Sequence, residues 1–117
     1  MALAESLGLY VLVPLTGTVW GYLKADVPSP NCYSDEIDGY GNVGSNLVWN
    51  AKAVIAEFSG YPNTLMFVAG NELMLHNGGP AFPCLKALVR DLHAFQSLCE
   101  ANMRRVPLIY ATQVREV

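Results

Sequence analysis

The sequence predicts an α/β fold in which short parallel strands alternate with helices. Three apolar segments, each about five residues long and too short for a helix, are separated by two longer segments in which apolar residues recur every three or four positions. The order is strand, helix, strand, helix, strand. This alternation implies parallel pairing through right-handed crossovers.

The first predicted strand covers residues 9–13, an apolar run of β-branched and aromatic residues without alternation. Such a run is typical of a strand that helices cover on both faces. Residues 6–23 are uncharged and largely apolar, but no Lys or Arg precedes Glu5, and Pro14, Gly17 and Gly21 would interrupt a helix. We therefore expect neither a signal peptide nor a membrane span in this chain.

A long loop and an amphipathic helix follow the first strand. Residues 15–44 are rich in Gly, Pro, Ser and Asn, which predicts a loop that is either a substrate-side segment or an unrelated insertion. The helix begins near Ser45 or Asn46, either of which can cap it, and ends near Gly60. Its apolar positions are Leu47, Val48, Ala51, Val54, Ile55 and Phe58.

The second and third strands are predicted at residues 65–69 and 106–110, with a helix between them. Pro83 fits the first turn of this helix. Its predicted apolar face comprises Leu85, Leu88, Val89, Leu92, Phe95 and Leu98, and its predicted outer face comprises Lys86, Arg90, Asp91 and Gln96.

Composition excludes several classes of function. The chain has 117 residues, of which 52% are hydrophobic, so it is one domain or a piece of one and not a disordered segment. Seven Lys and Arg against ten Asp and Glu give a net charge of −3. Because basic runs are missing, we expect no binding to nucleic acid or to an anionic membrane.

The sequence predicts neither a metal site nor a cofactor. Cys32, Cys84 and Cys99 form no C-x-x-C pair, which argues against structural zinc. The acidic cluster at residues 34–39 lacks the first and twelfth ligands of a calcium loop, and we expect both His76 and His93 to be structural. One disulfide with a free thiol and three free thiols are equally consistent with the cysteine count.

Glu72 is the best catalytic candidate in the chain. It follows Gly70 and Asn71 directly after the second apolar strand, at the carboxyl edge where α/β folds collect their ligands. Burial there would raise the pKa of the carboxyl group, which suits a general acid. The Asn71 amide can donate to a sugar hydroxyl. The alternative is a solvated Glu in the loop after the strand.

Ordered segments of the sequence resemble glycoside hydrolase family 72, the fungal β-1,3-glucanosyltransferases. Residues 63–72, 85–91 and 105–110 are similar to the fourth strand, the following helix and the fifth strand of that family, and residues 7–13 and 53–61 to its third strand and the helix in between. The resemblance implies that residues 1–117 are a central part of a (β/α)8 barrel, strands three to five. Both ends of the barrel are missing, since a complete barrel takes roughly 250 residues.

The resemblance implies a retaining enzyme of cell-wall remodelling that cuts β-1,3-glucan and transfers the new reducing end to another glucan. Glu72 matches the acid/base, Asn71 matches the residue that binds sugar at the cleavage point, and Tyr110 matches a Tyr near the active site, where it either lines the cleft or belongs to the core. The family location is extracellular or at the cell surface, with a GPI anchor. The retaining nucleophile lies on the seventh strand, and Glu116 does not match its motif, so we expect this chain to be inactive alone.

The chain also departs from the family pattern. Pro14 and Leu15 stand where the family commonly has an Asp, and residues 111–114 contain no acid after Tyr110. These differences indicate a divergent member or a decayed locus. The alternative function is a non-catalytic barrel remnant that binds glucan or self-associates through open sheet edges. Four loop aromatics either stack on sugar or pack within their own loop: Trp20, Tyr22, Tyr33 and Tyr40.

Overall fold

A computed structural model describes residues 1–15, 47–71, 82–98 and 103–112. Their helices and strands, in chain order, are α1 (Ala2–Ser6), β1 (Val11–Pro14), α2 (Leu47–Phe58), β2 (Thr64–Asn71), α3 (Phe82–Leu98) and β3 (Leu108–Ala111). From β1 onward this is the predicted βαβαβ order, and the α/β fold class is confirmed. The short helix α1 was not predicted. The loop predicted at residues 15–44 lies, beyond Leu15, outside the described residues.

The three strands form one parallel sheet in the order β1-β2-β3. Val13 pairs with Phe67, and Phe67 pairs with Leu108 on the other side of the central strand. The register shifts once in each pair, between Val11 and Leu12 in β1 and between Val68 and Gly70 in β2. Because the strands are parallel, their carboxyl ends lie together at one edge of the sheet.

In the part of the chain that the structure describes, a hydrophobic core joins one face of the sheet to α2 and α3. Phe67 and Ala69 of the central strand and Ala51 and Ile55 of α2 have no exposed surface. Val48, Val54 and Phe58 pack against this core, so the predicted apolar periodicity of α2 is confirmed at every predicted position except Leu47, whose side chain lies outside the described part of the structure. The remaining buried hydrophobic residues of this core are Val13, Leu15, Leu85, Leu88, Leu92 and Val106.

The prediction that helices cover the first two strands on both faces is wrong for the part of the chain that the structure describes. Tyr10 is 70% exposed, Leu12 50% and Leu65 43%. In β1, only Val13 is buried. The physical reason is that β1 is an edge strand and that α2 and α3 pack on the face of the sheet occupied by Phe67. The apolar run of the sequence indicates a second covering layer that these residues do not supply.

The first strand begins two residues later than predicted because α1 ends in a Schellman motif. Gly8 has a φ of 70°. Its N–H donates to the Glu5 carbonyl at 2.9 Å, and the N–H of Leu9 donates to the Ala4 carbonyl at 2.8 Å. Leu9 is thus bonded to the helix end and not to the ladder, which starts at Val11.

The other strand boundaries also move. Strand β2 extends past its predicted end at residue 69, because Gly70 pairs with Tyr110 and Asn71 pairs with Ala111 of β3. Strand β3 starts at Leu108 and not at residue 106, although the Pro107 carbonyl already accepts a hydrogen bond from the Phe67 N–H at 2.9 Å. The pairing between β2 and β3 therefore determines where β2 ends and where β3 begins.

Helix α3 follows the predicted pattern at its centre and departs from it near its end. Leu98, predicted to face the core, is 86% exposed, whereas Gln96, predicted to lie outside, is 1% exposed. The Gln96 Nε2 donates to the Val106 carbonyl at 2.9 Å, and this bond offsets the cost of burying the amide nitrogen. His93 also lies on α3, and its Nδ1 is buried without a hydrogen-bond partner.

Polar side chains fix the amino end of the sheet. The Thr64 Oγ1 donates to the Phe58 carbonyl at 2.8 Å and closes the turn from α2 into β2. The Arg104 guanidinium donates to the carbonyls of both Tyr61 and Thr64. The amino end of β2 is thereby tied to the segment that leads into β3.

Candidate functional site

Two of the three predicted site residues lie on neighbouring strands at the carboxyl edge of the sheet. Asn71 is the last residue of β2 and is exposed. Tyr110 lies in β3 opposite Gly70, and the next residue, Ala111, is opposite Asn71. The sheet therefore brings the two backbones together, and Asn71 is exposed at this edge.

Glu72 lies outside the described residues, so its predicted pKa and its role are not tested. In the sequence, the candidate acid follows directly after the final residue of the central strand.

Tyr110 is held by the core at its ring and left unpaired at its hydroxyl. Its ring meets that of Phe82, the first residue of α3, edge-on at 5.8 Å between centroids and at 67° between planes. The hydroxyl oxygen is buried and has no hydrogen-bond partner. The structure shows a packing role for Tyr110, and the predicted contact with sugar stays a prediction.

Cys84 forms a disulfide. It lies in the first turn of α3, is partly buried and packs against the hydrophobic core. Of the two alternatives that the cysteine count allows, the structure therefore has the one with a disulfide. The sequence held no signal for this choice, because the three cysteines are far apart along the chain.

Metal sites and membrane spans receive no support from the described residues. They include no group of three His, Cys, Asp or Glu side chains able to hold a metal ion. A small cavity of about 170 Å³ lies near the amino end of β1, away from the candidate site. Its lining residues are Glu5, Gly8, Leu9, Tyr10, Pro62 and Asn63. Among the helices described, none has the length and hydrophobicity needed to cross a bilayer.

Comparison with known proteins identifies relatives of one kind. A model of the glucanosyltransferases of glycoside hydrolase family 72 matches residues 19–116. The 1,3-beta-glucanosyltransferase PGA4 of Candida albicans is 33% identical over 93 residues, which are 77% of this chain and 20% of that protein. The 1,3-beta-glucanosyltransferase gel1 of Aspergillus fumigatus is 33% identical over 96 residues, with the same coverage of both chains.

Solved structures give the same result. A crystal structure of Gas2 from Saccharomyces cerevisiae in complex with a small compound matches with a TM-score of 0.72 and 27% identity, covering 97% of this chain and 23% of that one. Gas2 in complex with laminaripentaose matches with a TM-score of 0.69 and 28% identity, covering 95% and 22%. The chain spans about a fifth of the length of the relatives that it matches.

Proposed function

Because this chain belongs to glycoside hydrolase family 72, we propose that residues 1–117 are part of the catalytic barrel of a β-1,3-glucanosyltransferase. The enzyme cleaves β-1,3-glucan with retention of configuration and transfers the new reducing end to a second glucan. The likeness to the Gas2 structures over nearly the whole chain supports a partial barrel, and the glucanosyltransferase relatives support the reaction.

The observation that carries the proposal is the position of Asn71, exposed at the carboxyl end of the central strand. Parallel α/β folds bind their ligands at this edge. The residue after Asn71 is Glu72. In the sequence, an amide side chain at the end of the central strand is therefore followed directly by a carboxyl side chain.

Each of these groups has a distinct role in the proposed reaction. Glu72 protonates the glycosidic oxygen that leaves and later removes a proton from the hydroxyl of the acceptor glucan. The Asn71 amide donates a hydrogen bond to a hydroxyl of the sugar at the cleavage point. Tyr110 contributes to the same subsite through its hydroxyl.

A retaining mechanism needs a second carboxylate about 5 to 5.5 Å from the first, as the nucleophile. We assign this group to the seventh strand of the barrel, outside the 117 residues of this chain. The covalent intermediate forms on that carboxylate, so the present residues supply only the acid/base half of the site. The chain alone is consequently expected to be inactive.

The substrate and the location follow from the same assignment. The Gas2 complexes contain laminaripentaose, laminaritriose and laminaritetraose, which supports a β-1,3-linked gluco-oligosaccharide as the ligand. We place the protein in the cell wall, at the cell surface with a GPI anchor. The disulfide at Cys84 supports an oxidising, extracellular compartment.

The test uses the full-length protein that contains this chain, incubated with laminari-oligosaccharides and resolved by product size. We expect Glu72→Gln to lower transfer activity by about 10²- to 10⁴-fold, because the general acid is lost while the shape is kept. Glu57→Gln, on the exposed surface of α2, is the matched control and should retain full activity. A Glu72→Gln enzyme as active as the control would exclude Glu72 from the reaction.

One observation favours the alternative of a non-catalytic, glucan-binding remnant. The end of β1, where the family commonly has an Asp, carries Pro14 and then Leu15, which is buried in the core with 5% exposure. Neither of these two residues offers a polar side chain to hold substrate. Binding of laminaripentaose by the full-length protein without any redistribution of chain length would support the remnant.

A further inference from the structure

The small cavity at the amino end of the sheet has no role in the proposed reaction. It occupies about 170 Å³ between the connection from α1 to β1 and the turn that joins α2 to β2. Strand β2 runs for eight residues from this end of the sheet to Asn71. At about 3.3 Å per residue, the two ends of β2 are roughly 23 Å apart, so the cavity is separate from the candidate site.

Asn63 lines this cavity and is only 6% exposed. Its Nδ2 donates to the Met1 carbonyl at 3.4 Å and to the Leu9 carbonyl at 3.3 Å, so both hydrogens of the amide are used. Its Oδ1 is buried and has no hydrogen-bond partner. A buried acceptor of this kind lowers the stability of the folded protein unless a donor reaches it. A ligand in the cavity can supply that donor.

The other polar groups around the cavity also favour a ligand that donates hydrogen bonds. Glu5 is exposed, and no described residue forms an ion pair with its carboxylate. The backbone N–H groups of Gly8 and Leu9 are already bonded to carbonyls of α1, and Pro62 has no N–H. An anion would be repelled by Glu5 and would find few donors. The lining therefore suits a ligand rich in O–H or N–H groups.

The rest of the lining is apolar or aromatic, and Tyr10 is 70% exposed. A cavity of about 150 Å³ admits a benzene ring, so this one has room for a single six-membered ring. A hexose unit meets both demands, because hydroxyl donors surround its ring and its C–H groups form an apolar face that packs on an aromatic side chain. An alkylammonium group also donates, but an ion pair with a carboxylate as exposed as that of Glu5 contributes little in water.

We propose that this cavity is a second glucan-binding site, which takes one glucose unit of a β-1,3-glucan at the end of the sheet opposite the candidate site. The choice of glucan as the ligand rests on the proposed function. One hydroxyl of the sugar donates to Asn63 Oδ1, another donates to the Glu5 carboxylate, and the sugar ring packs on Tyr10. A long glucan that occupies both sites is held more tightly than either site alone can hold it.

Hydrogen exchange of the full-length protein locates the site. The Glu72→Gln variant is used, so that on the proposed function the sugar is not consumed. We expect laminaritriose to lower deuterium uptake over residues 4–11 and 61–64 in a saturable manner. Unchanged uptake there overturns the proposal. Saturable protection by n-butylammonium chloride, with none by laminaritriose, also overturns it and identifies a site for an organic cation instead.

Substitutions test the assigned contacts through the laminaritriose concentration that gives half of this protection. We expect Tyr10→Ala to raise that concentration about tenfold, because the packing surface is lost. Glu5→Gln should raise it about threefold, because a hydrogen bond to a charged acceptor becomes a neutral one. The matched controls are Trp49→Ala and Glu57→Gln, which change an exposed aromatic residue and an exposed acid on α2 and should have no effect. Equal effects of Tyr10→Ala and Trp49→Ala overturn the proposal.

The second site and the proposed function can fail separately. If the wild-type protein transfers no glucan but laminaritriose still protects residues 4–11, the proposed function is refuted and the amino end of the sheet remains a glucan-binding site. If the wild-type protein transfers glucan without any protection of these residues, the proposed function stands and the second site is refuted.

Discussion

At Tyr110, substitution can separate the effect of the aromatic ring from the effect of the hydroxyl group. Its ring packs on Phe82, and its hydroxyl oxygen is buried without a partner. A buried hydroxyl without a hydrogen-bond partner lowers the stability of the folded protein, whereas an aromatic ring packed in a core raises it. A contact with a bound ligand would explain why the chain keeps a hydroxyl group that lowers its stability.

We expect Tyr110→Phe to leave the free energy of unfolding unchanged or to raise it by about 1 kcal/mol, because no hydrogen bond is lost. Tyr110→Ala should lower it by about 2 to 4 kcal/mol, because the contact with Phe82 is removed. Urea denaturation of the full-length protein measures both values.

The same pair of variants tests the sugar contact. If the hydroxyl binds glucan, Tyr110→Phe should raise the KM for laminari-oligosaccharides about fivefold at unchanged stability. An unchanged KM in a folded Tyr110→Phe enzyme would show that Tyr110 packs in the core and does not contact the sugar.

Residue periodicity predicted most of the core, and Gln96 shows where it could not. The pattern of α3 correctly places Leu85, Leu88 and Leu92 in the core, because apolar spacing encodes which face is buried. Burial of Gln96 depends instead on the Val106 carbonyl, which reaches the helix only through tertiary folding. A single sequence carries no signal for such a partner.

At the scale of elements, the order and type of the strands and main helices were predictable, and their ends were not. Helix α2 matches its predicted apolar spacing, but β2 continues through Gly70 to Asn71 because β3 pairs with it. Pairing is a property of two segments, and local composition describes only one. For the same reason, the sequence located Asn71 near a strand end but did not reveal that Tyr110 pairs beside it.

The end of α1 provides a prediction at this scale. Gly8 adopts a φ of 70°, and a Cβ added there would meet nothing within 4 Å. The cost of Gly8→Ala is thus conformational and not steric crowding, and we expect the free energy of unfolding to fall by about 1 to 2 kcal/mol.

Gly60→Ala is the matched control for that measurement. A Cβ at Gly60 also meets nothing within 4 Å, but no positive φ is required there. We expect a change within about 0.5 kcal/mol by urea denaturation. Equal effects of the two substitutions would contradict the role assigned to the Schellman motif.

At the scale of the whole molecule, the helices leave the second face of the sheet uncovered among the described residues. Leu9, Tyr10 and Leu12 are 55%, 70% and 50% exposed at the β1 end of the sheet. In a complete barrel, further strands would pair with the outer strands, and the interior would be filled by side chains. The 117-residue chain alone has to find such contacts in another copy of itself.

We therefore expect the isolated chain to self-associate, because an apolar edge strand templates pairing with a second chain. Sedimentation velocity at micromolar concentration should show oligomers. Leu12→Lys should shift the distribution toward monomer, since a charge on an edge strand opposes pairing. Trp49→Lys removes a comparably exposed apolar side chain, 73% exposed on α2 and away from the sheet, and should leave the distribution unchanged. A monodisperse wild-type monomer with a cooperative thermal transition would instead identify these residues as a self-sufficient domain, and the assignment to a part of a barrel would then be wrong.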